Sequence, residues 1–318
     1  MEEVIVKVEN LSHRYSVQWA VRDMNFEILK NGIYGLLGSN GAGKSTTMNI
    51  MCGVLKPTRG NVFIKGINMR ENPVEAKRHI GFLPQQPPLH VDLTVEEYLE
   101  YCASLRHIPG KQIHKAVIEV MGKCGISHFQ KRLIRNLSGG YQQRVGIAQA
   151  IIHKPDFVVL DEPTNGLDPN QIMEIRHLVK EIAEERTVVL STHILSEVQA
   201  TCKYIRMIEQ GSLVFSGTVE EFDNYKTFCK TDEWGINSQV ATWCFSERNK
   251  DKFLIKDLMS DGKITVNTVD TRFRLHFANA QEMMEKVVEI SMMRDWRLNE
   301  IYLEKSSLDT IFAKLSKK

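Results

Sequence analysis

Residues Gly38-Ser39-Asn40-Gly41-Ala42-Gly43-Lys44-Ser45-Thr46 fit the pattern GxxxxGK[ST]. The apolar run 32–37 ahead of them reads as a strand, and a helix follows through Ser45, Met48 and Cys52. Strand, glycine turn and helix, in that order, are the setting in which this pattern carries chemistry. Glycines at 38, 41 and 43 let backbone N–H groups turn inward around phosphate oxygens, helped by the positive end of the helix. Lys44 offers a full charge to the β- and γ-phosphates, and Ser45 offers a hydroxyl to Mg²⁺. A nucleoside triphosphate is the expected ligand.

Farther along, the buried-looking run 157–160 leads directly into Asp161-Glu162-Pro163. A strand ending in two carboxylates sets the first near a metal and the second where it can orient or deprotonate a water. Paired with the glycine loop, this points to hydrolysis of the triphosphate.

Around these two motifs, apolar β-rich runs alternate with helical stretches as far as about residue 218, the rhythm of an α/β fold with a largely parallel sheet. Residues 4–8 and 25–28 read as early strands. Residues 57–67 read as a short hairpin turning at Thr58, Arg59 and Gly60, and 94–135 as a mainly helical insert. A helix over 172–183 separates the strands 157–160 and 187–191. After Gly217 the pattern changes to strands at 238–245, 264–267 and 272–277, with helices at 281–290 and 308–315. The chain thus divides into residues 1–220 and a smaller α+β domain, 221–318.

Composition narrows the function further. The 318 residues are 42% hydrophobic and 25% charged, as in ordinary globular chains. The 41 Lys and Arg against 39 Asp and Glu leave a net charge of +2, without the excess that a row of nucleic-acid phosphates calls for. No nucleic-acid partner is expected. Six scattered cysteines with no CxxC pair argue for buried free thiols over zinc or a disulfide framework. No apolar run approaches the roughly 18 residues of a membrane span, and the first residues do not read as a signal peptide.

The stretch Leu137-Ser138-Gly139-Gly140-Tyr141-Gln142-Gln143-Arg144, ahead of the helix-like residues 145–152, resembles the LSGGQ signature of the ATP-binding cassette family, with Tyr141 where glutamine is usual. Ser138 and the N–H groups of Gly139 and Gly140, at a helix start, form a second anion site. The resemblance extends over residues 4–220. It implies a P-loop NTPase cassette, a mixed sheet with flanking helices and a helical subdomain at about 87–150, that binds ATP and Mg²⁺. On that resemblance Tyr15 stacks on adenine, and residues 38–46, Ser138, Gly139, Gly140 and Asp168 contact nucleotide. Ser45, Gln85 and Asp161 serve the metal, and Glu162, His193 and Gln85 serve catalysis. Taken singly, each outlying residue has a plainer reading: Tyr15 as a packing aromatic, Gln85 as a surface residue, Asp168 as a helix cap before Pro169, His193 as a core histidine.

The resemblance also implies a head-to-tail pair of cassettes with ATP between the loop of one and the signature of the other, so a second copy of the chain is an expected partner. A separate transmembrane permease is the other, docking on the groove between Gln85 and the insert, whose start Pro84, Pro87 and Pro88 stiffen. Residues 247–250, 272–277, 299–302 and 307–312 look like the accessory domain of ATPases serving ABC-2 type permeases, which are mostly exporters. The expected place of work is the cytoplasmic face of the plasma membrane, as a peripheral subunit. Two rivals are a soluble cassette ATPase acting on a nucleic-acid or ribosomal partner and a module that clamps ATP without turning it over.

Overall fold

The computed structural model describes residues 3–222, and residues 239–245, 266–269, 272–277 and 298–303 as strands. The chain forms two compact units, Met1–Val219 and Glu220–Lys318.

The first unit opens with two long strands, β1 (Val4–Tyr15) and β2 (Gln18–Leu29), whose buried and exposed residues alternate along much of their length. Next come β3 (Gly32–Leu37), α1 (Lys44–Met51), β4 (Arg59–Ile64), β5 (Ile67–Asn68), α2 (Pro73–Arg78) and β6 (Ile80–Leu83). Three longer helices follow, α3 (Val95–Leu105), α4 (Gly110–Lys123) and α5 (Gly139–Ile151). The unit ends with β7 (Phe157–Asp161), α6 (Pro169–Glu185), β8 (Thr187–Thr192), α7 (Leu195–Thr201), β9 (Tyr204–Glu209) and β10 (Ser212–Thr218).

Two sheets result. One is antiparallel, ordered β2-β1-β4-β5; the other is ordered β10-β9-β3-β8-β7-β6 and is parallel except for the edge strand β10. Every residue of β7 and β8 is buried, as expected for inner strands of a parallel sheet covered on both faces. The period-2 alternation sorts their side chains into two cores. Phe157, Val159 and Val189 join Met24, Met48, Met51 and Ile64 between the sheets, whereas Val158, Leu160, Val188 and Leu190 join Leu99, Val120, Ile147 and Ile182 beneath the helices. Each such fully buried side chain contributes about 1.5–3 kcal/mol. The helical insert starts sharply at Thr94, whose hydroxyl accepts from Glu97 N at 3.3 Å while the Glu97 carboxylate accepts from Thr94 N at 2.8 Å, a reciprocal cap.

In the second unit, β11 (Gln239–Phe245), β12 (Val266–Val269), β13 (Arg272–Phe277) and β14 (Leu298–Leu303) form an antiparallel sheet ordered β12-β13-β11-β14. This strand order is shared with ferredoxin-like sheets.

Several elements depart from the sequence reading. The hairpin after α1 turns at Lys65 and Gly66, with φ of +49° and +78°, and not at residues 58–60. Both central residues are left-handed, as a two-residue hairpin turn requires. Gly60 serves close packing instead, since a Cβ there would lie 2.4 Å from the carbonyl oxygens of Glu9 and Asn10 on β1. Strand β1 runs to Tyr15, well past residue 8, because a register shift lets it continue through a polar stretch with Asn10 at φ +47°. Strands β6, β9, β10 and β14 were not anticipated. The helices expected at 281–290 and 308–315, and the stretches 247–250 and 307–312, lie outside the described residues. Cys52, Cys102 and Cys124 are free and buried, and Cys202 is free and half-buried. Desolvation raises the Cys124 thiol to about 12. No described helix is long and apolar enough to cross a membrane.

Candidate active site

The glycine loop leaves β3 at Leu37 and enters α1 at Lys44, with Gly43 capping the helix at φ +108° and Gly41 at φ +82°. The loop is seated on its neighbours by backbone contact. A Cβ on Gly43 would lie 2.5 Å from Ala20 O in β2, and one on Gly38 would lie 2.4 Å from Ile208 O in β9. Gly211 N donates to Ala42 O at 2.9 Å, and Ser39 Oγ donates to the Glu209 carboxylate at 3.3 Å. Lys44 is 5% exposed and folds back to donate to Gly38 O and Ser39 O, each at 3.0 Å. Burial lowers its pKa, while the charges of Glu162 and Asp161 act in the opposite sense. Ser45 is exposed and Thr46 half-buried at the first turn of α1. The first N–H groups of a helix lack intrahelical acceptors, so this cradle, with Asn40 exposed at its rim and an ammonium bonded to its carbonyls, fits a polyphosphate.

Ala in place of Gly43 meets both a left-handed backbone and a carbonyl wall. Gly43→Ala is expected to lose at least about 2 kcal/mol of stability and at least about tenfold in ATP affinity. Gly41→Ala, with no atom within 4 Å of the added carbon, meets the torsional penalty alone, about 1 kcal/mol. Thermal melts and nucleotide titrations of the two variants check this; equal losses at both positions would contradict it.

Beside the loop stand the carboxylates. Asp161, 3% exposed, ends β7 opposite Ser191 of β8, whose hydroxyl donates to it. The same Ser191 oxygen accepts from Glu162 N at 3.0 Å. Glu162 itself is left-handed, φ +47°, a conformation that costs a non-glycine residue about 1–2 kcal/mol. Its carboxylate sits among three polar side chains: Gln85 Nε2 and Asn165 Nδ2 donate to Oε2 at 3.1 and 3.3 Å, and His193 Nδ1 lies 3.3 Å from Oε1. Strand order explains the gathering. Gln85 follows β6, Glu162 follows β7, His193 follows β8 and the glycine loop follows β3, and these are successive neighbours in one parallel sheet. Their C-terminal ends therefore open on one edge, where ligands of such sheets bind.

The remaining candidates stand apart from this cluster. Tyr15 is 52% exposed at the end of β1, its ring 4.8 Å edge-on from that of His13. Ser138 caps α5 in an extended conformation with its hydroxyl uninvolved in the cap; Gly139 is open, and a Cβ on Gly140 would strike the Gln171 side chain. Tyr141 packs edge-on against Phe129 at 4.5 Å, which accounts for an aromatic at that position. Asp168 caps α6, its carboxylate accepting from Asn170 N and Gln171 N at 3.0 Å each. Among the described residues, no hydrogen bond joins Ser138, Gly139, Gly140, Asp168 or Tyr15 to the glycine loop or to Glu162.

Asn165, Ser191 and Glu197 belong to the site's framework and were not singled out from sequence. Ser191 was reachable from the register of the two buried strands, whose apolar centres pair so that it falls beside Asp161. Asn165 lies midway along the chain between Glu162 and Asp168. Glu197 gave no signal.

The ABC transporter family model matches residues 21–165. The bacitracin transport ATP-binding protein BcrA of Bacillus licheniformis is 40% identical over 212 residues, 66% of this chain and 68% of that protein. The chain belongs to the ABC transporter family. It is an ATP-binding, ATP-hydrolysing transporter subunit. The linearmycin resistance ATP-binding protein LnrL of Bacillus subtilis (strain 168) is 27% identical over 316 residues, 98% of each chain, so the likeness within the ABC family extends through the second unit. Among solved structures, the ATP-binding cassette MJ0796, a dimer in a post-hydrolysis state with ADP and Pi, matches with a TM-score of 0.62 at 28% identity, covering 68% of this chain and 99% of that one.

Proposed function

We propose that this ABC subunit works as a nucleotide-clamped homodimer that powers export through a separate ABC-2-like permease, from the cytoplasmic face of the plasma membrane. The observation that carries the reading is the Glu162 carboxylate, held by Gln85, Asn165 and His193 beside the glycine loop, while Ser138, Gly139 and Gly140 of the same chain make no hydrogen bond to that loop or to Glu162 and Asp168 caps α6. One chain supplies half of an ATP site. A second copy, head to tail, supplies the signature donors and Asp168 to the other side of the γ-phosphate.

Within the site, Tyr15 stacks on adenine, residues 38–46 cradle the phosphates and Lys44 neutralises them. Ser45, Gln85 and Asp161 are the groups that would hold Mg²⁺; one exposed hydroxyl, an amide oxygen and a buried carboxylate suit a hard cation. When bound, that ion would supply charge neutralisation to the triphosphate. Glu162 orients the attacking water and takes its proton, and His193 contacts the γ-phosphate. The relatives are named for bacitracin transport, linearmycin resistance and lantibiotic transport. Those names, with the balanced charge of this chain, favour a transporter over a ribosomal or nucleic-acid role.

Light scattering of Glu162→Gln tests the clamp. Mass is expected to double when excess ATP and Mg²⁺ are added and to fall back when they are removed. A chain that stays monomeric under those conditions overturns the proposal.

A further inference from the structure

Glu197, the third residue of α7, is a buried carboxylate, 5% exposed. Its two oxygens are divided between two loops. Oε1 accepts from Thr164 Oγ1 at 2.8 Å, and Oε2 accepts from Thr192 Oγ1 at 2.7 Å. Arg176 of α6 stands 3.7 Å from Oε1 and is the one cation in reach among the described residues.

The loops matter because of what they carry. Thr164 lies in the segment between Glu162 and Asp168, where Asn165 N donates to Glu162 O at 3.1 Å and Leu167 N to Thr164 O at 3.3 Å. Thr192 closes β8 and directly precedes His193; its oxygen also accepts from Ile194 N at 3.0 Å, which fixes the turn that aims the imidazole. Asn165 and His193 are two of the three side chains on the Glu162 carboxylate. Both thus hang from threonines whose hydroxyls meet on one residue of a third element.

Burying a carboxylate is costly unless hydrogen bonds satisfy it, and an apolar side chain of the same volume would fill the space without that cost. What the carboxylate adds over such a filler is direction, two bonds at fixed angles to two separate segments. We infer that Glu197 is a positioning residue for hydrolysis: it straps the 163–168 segment to the His193 turn, so that the two flank Glu162 in fixed register and shift together when nucleotide enters or leaves. The inference rests on the reading of Glu162 as the group that activates water.

The test uses the full-length chain and a double-mutant cycle. Thr164→Val and Thr192→Val each remove one arm of the strap at nearly constant volume. Each is expected to lower kcat about tenfold with KM for ATP within about threefold, and the double variant to be at most about twofold worse than the poorer single one, because either cut releases the strap. Glu197→Gln, which keeps one acceptor and gains one donor, is expected to retain turnover within about fivefold of the parent, while Glu197→Met falls to the level of the double variant. Effects that multiply to about 100-fold in the double variant, or kcat and KM that change together in step with the melting temperature, overturn the inference. Should Glu197→Met fail to fold, the valine cycle decides. If Glu162→Gln keeps full turnover, the underlying assignment fails; if Glu162→Gln is inactive and the valine effects multiply, only the strap fails.

Discussion

Glu162→Gln is expected to lower the ATP turnover of the chain by about 10²- to 10⁴-fold, the range that a positioned general base contributes. The substitution is nearly isosteric, so β7, the left-handed backbone at 162 and the N–H bond to Ser191 remain. A carboxamide cannot take a proton from water, and its nitrogen would face the donors of Gln85 or Asn165 that now meet Oε2 at 3.1 and 3.3 Å. The ground-state grip on ATP is proposed to reside in the glycine loop and Lys44, so affinity is expected to stay within about threefold. Phosphate release gives the first quantity and equilibrium nucleotide binding the second. Turnover within threefold of the parent would remove Glu162 from the reaction.

The second large effect falls on binding. Lys44→Ala is expected to weaken ATP affinity by about 10- to 150-fold, the equivalent of losing one charge-assisted hydrogen bond worth about 1.5–3 kcal/mol. The ammonium is buried against Gly38 O and Ser39 O and held in the field of Glu162 and Asp161. Removing it takes away the attraction for phosphate and leaves two carboxylates near the place where phosphate must sit. Lys44→Arg is not expected to restore affinity, because a planar guanidinium cannot occupy the space of a compact ammonium tucked under the loop. Calorimetric titration with ATP checks both variants; an alanine variant that binds normally would remove Lys44 from the site.

Much of the central architecture is legible in the sequence for a simple reason. Strands β3, β7 and β8 are buried along nearly all their length and are apolar through their centres, so they stand out as runs, and the motifs sit at their ends. The boundaries of β1 were illegible because its bulged second half alternates with polar residues and Asn10 looks like a terminator. Gly60 misled for a related reason, since a glycine demanded by a neighbouring backbone looks the same on paper as one demanded by a turn. For the site, the sequence order of Gln85, Glu162 and His193 says nothing of their adjacency. That comes from β6, β7 and β8 lying side by side in the sheet, a pairing across dozens of residues. Asp168 shows the reverse case: its cap on α6 is the plainer of its two readings, and the interface role proposed for it needs a second chain. Glu197 was invisible because one of its two threonine partners, Thr164, lies on another element 33 residues away, and hydroxyl to carboxylate bonds leave no periodicity to read.

The left-handed backbone of Glu162 bears on how this subunit could be engineered. A protein engineer hunting for heat tolerance would install glycine at such a torsion, and the gain would come at a position whose side chain is the proposed activator of the attacking water. Hardening must therefore be sought elsewhere, for instance at left-handed surface positions such as Asn31, Lys154 or Gln210, whose side chains have no part in the chemistry. Activity and durability pull in opposite directions at a single pair of dihedral angles.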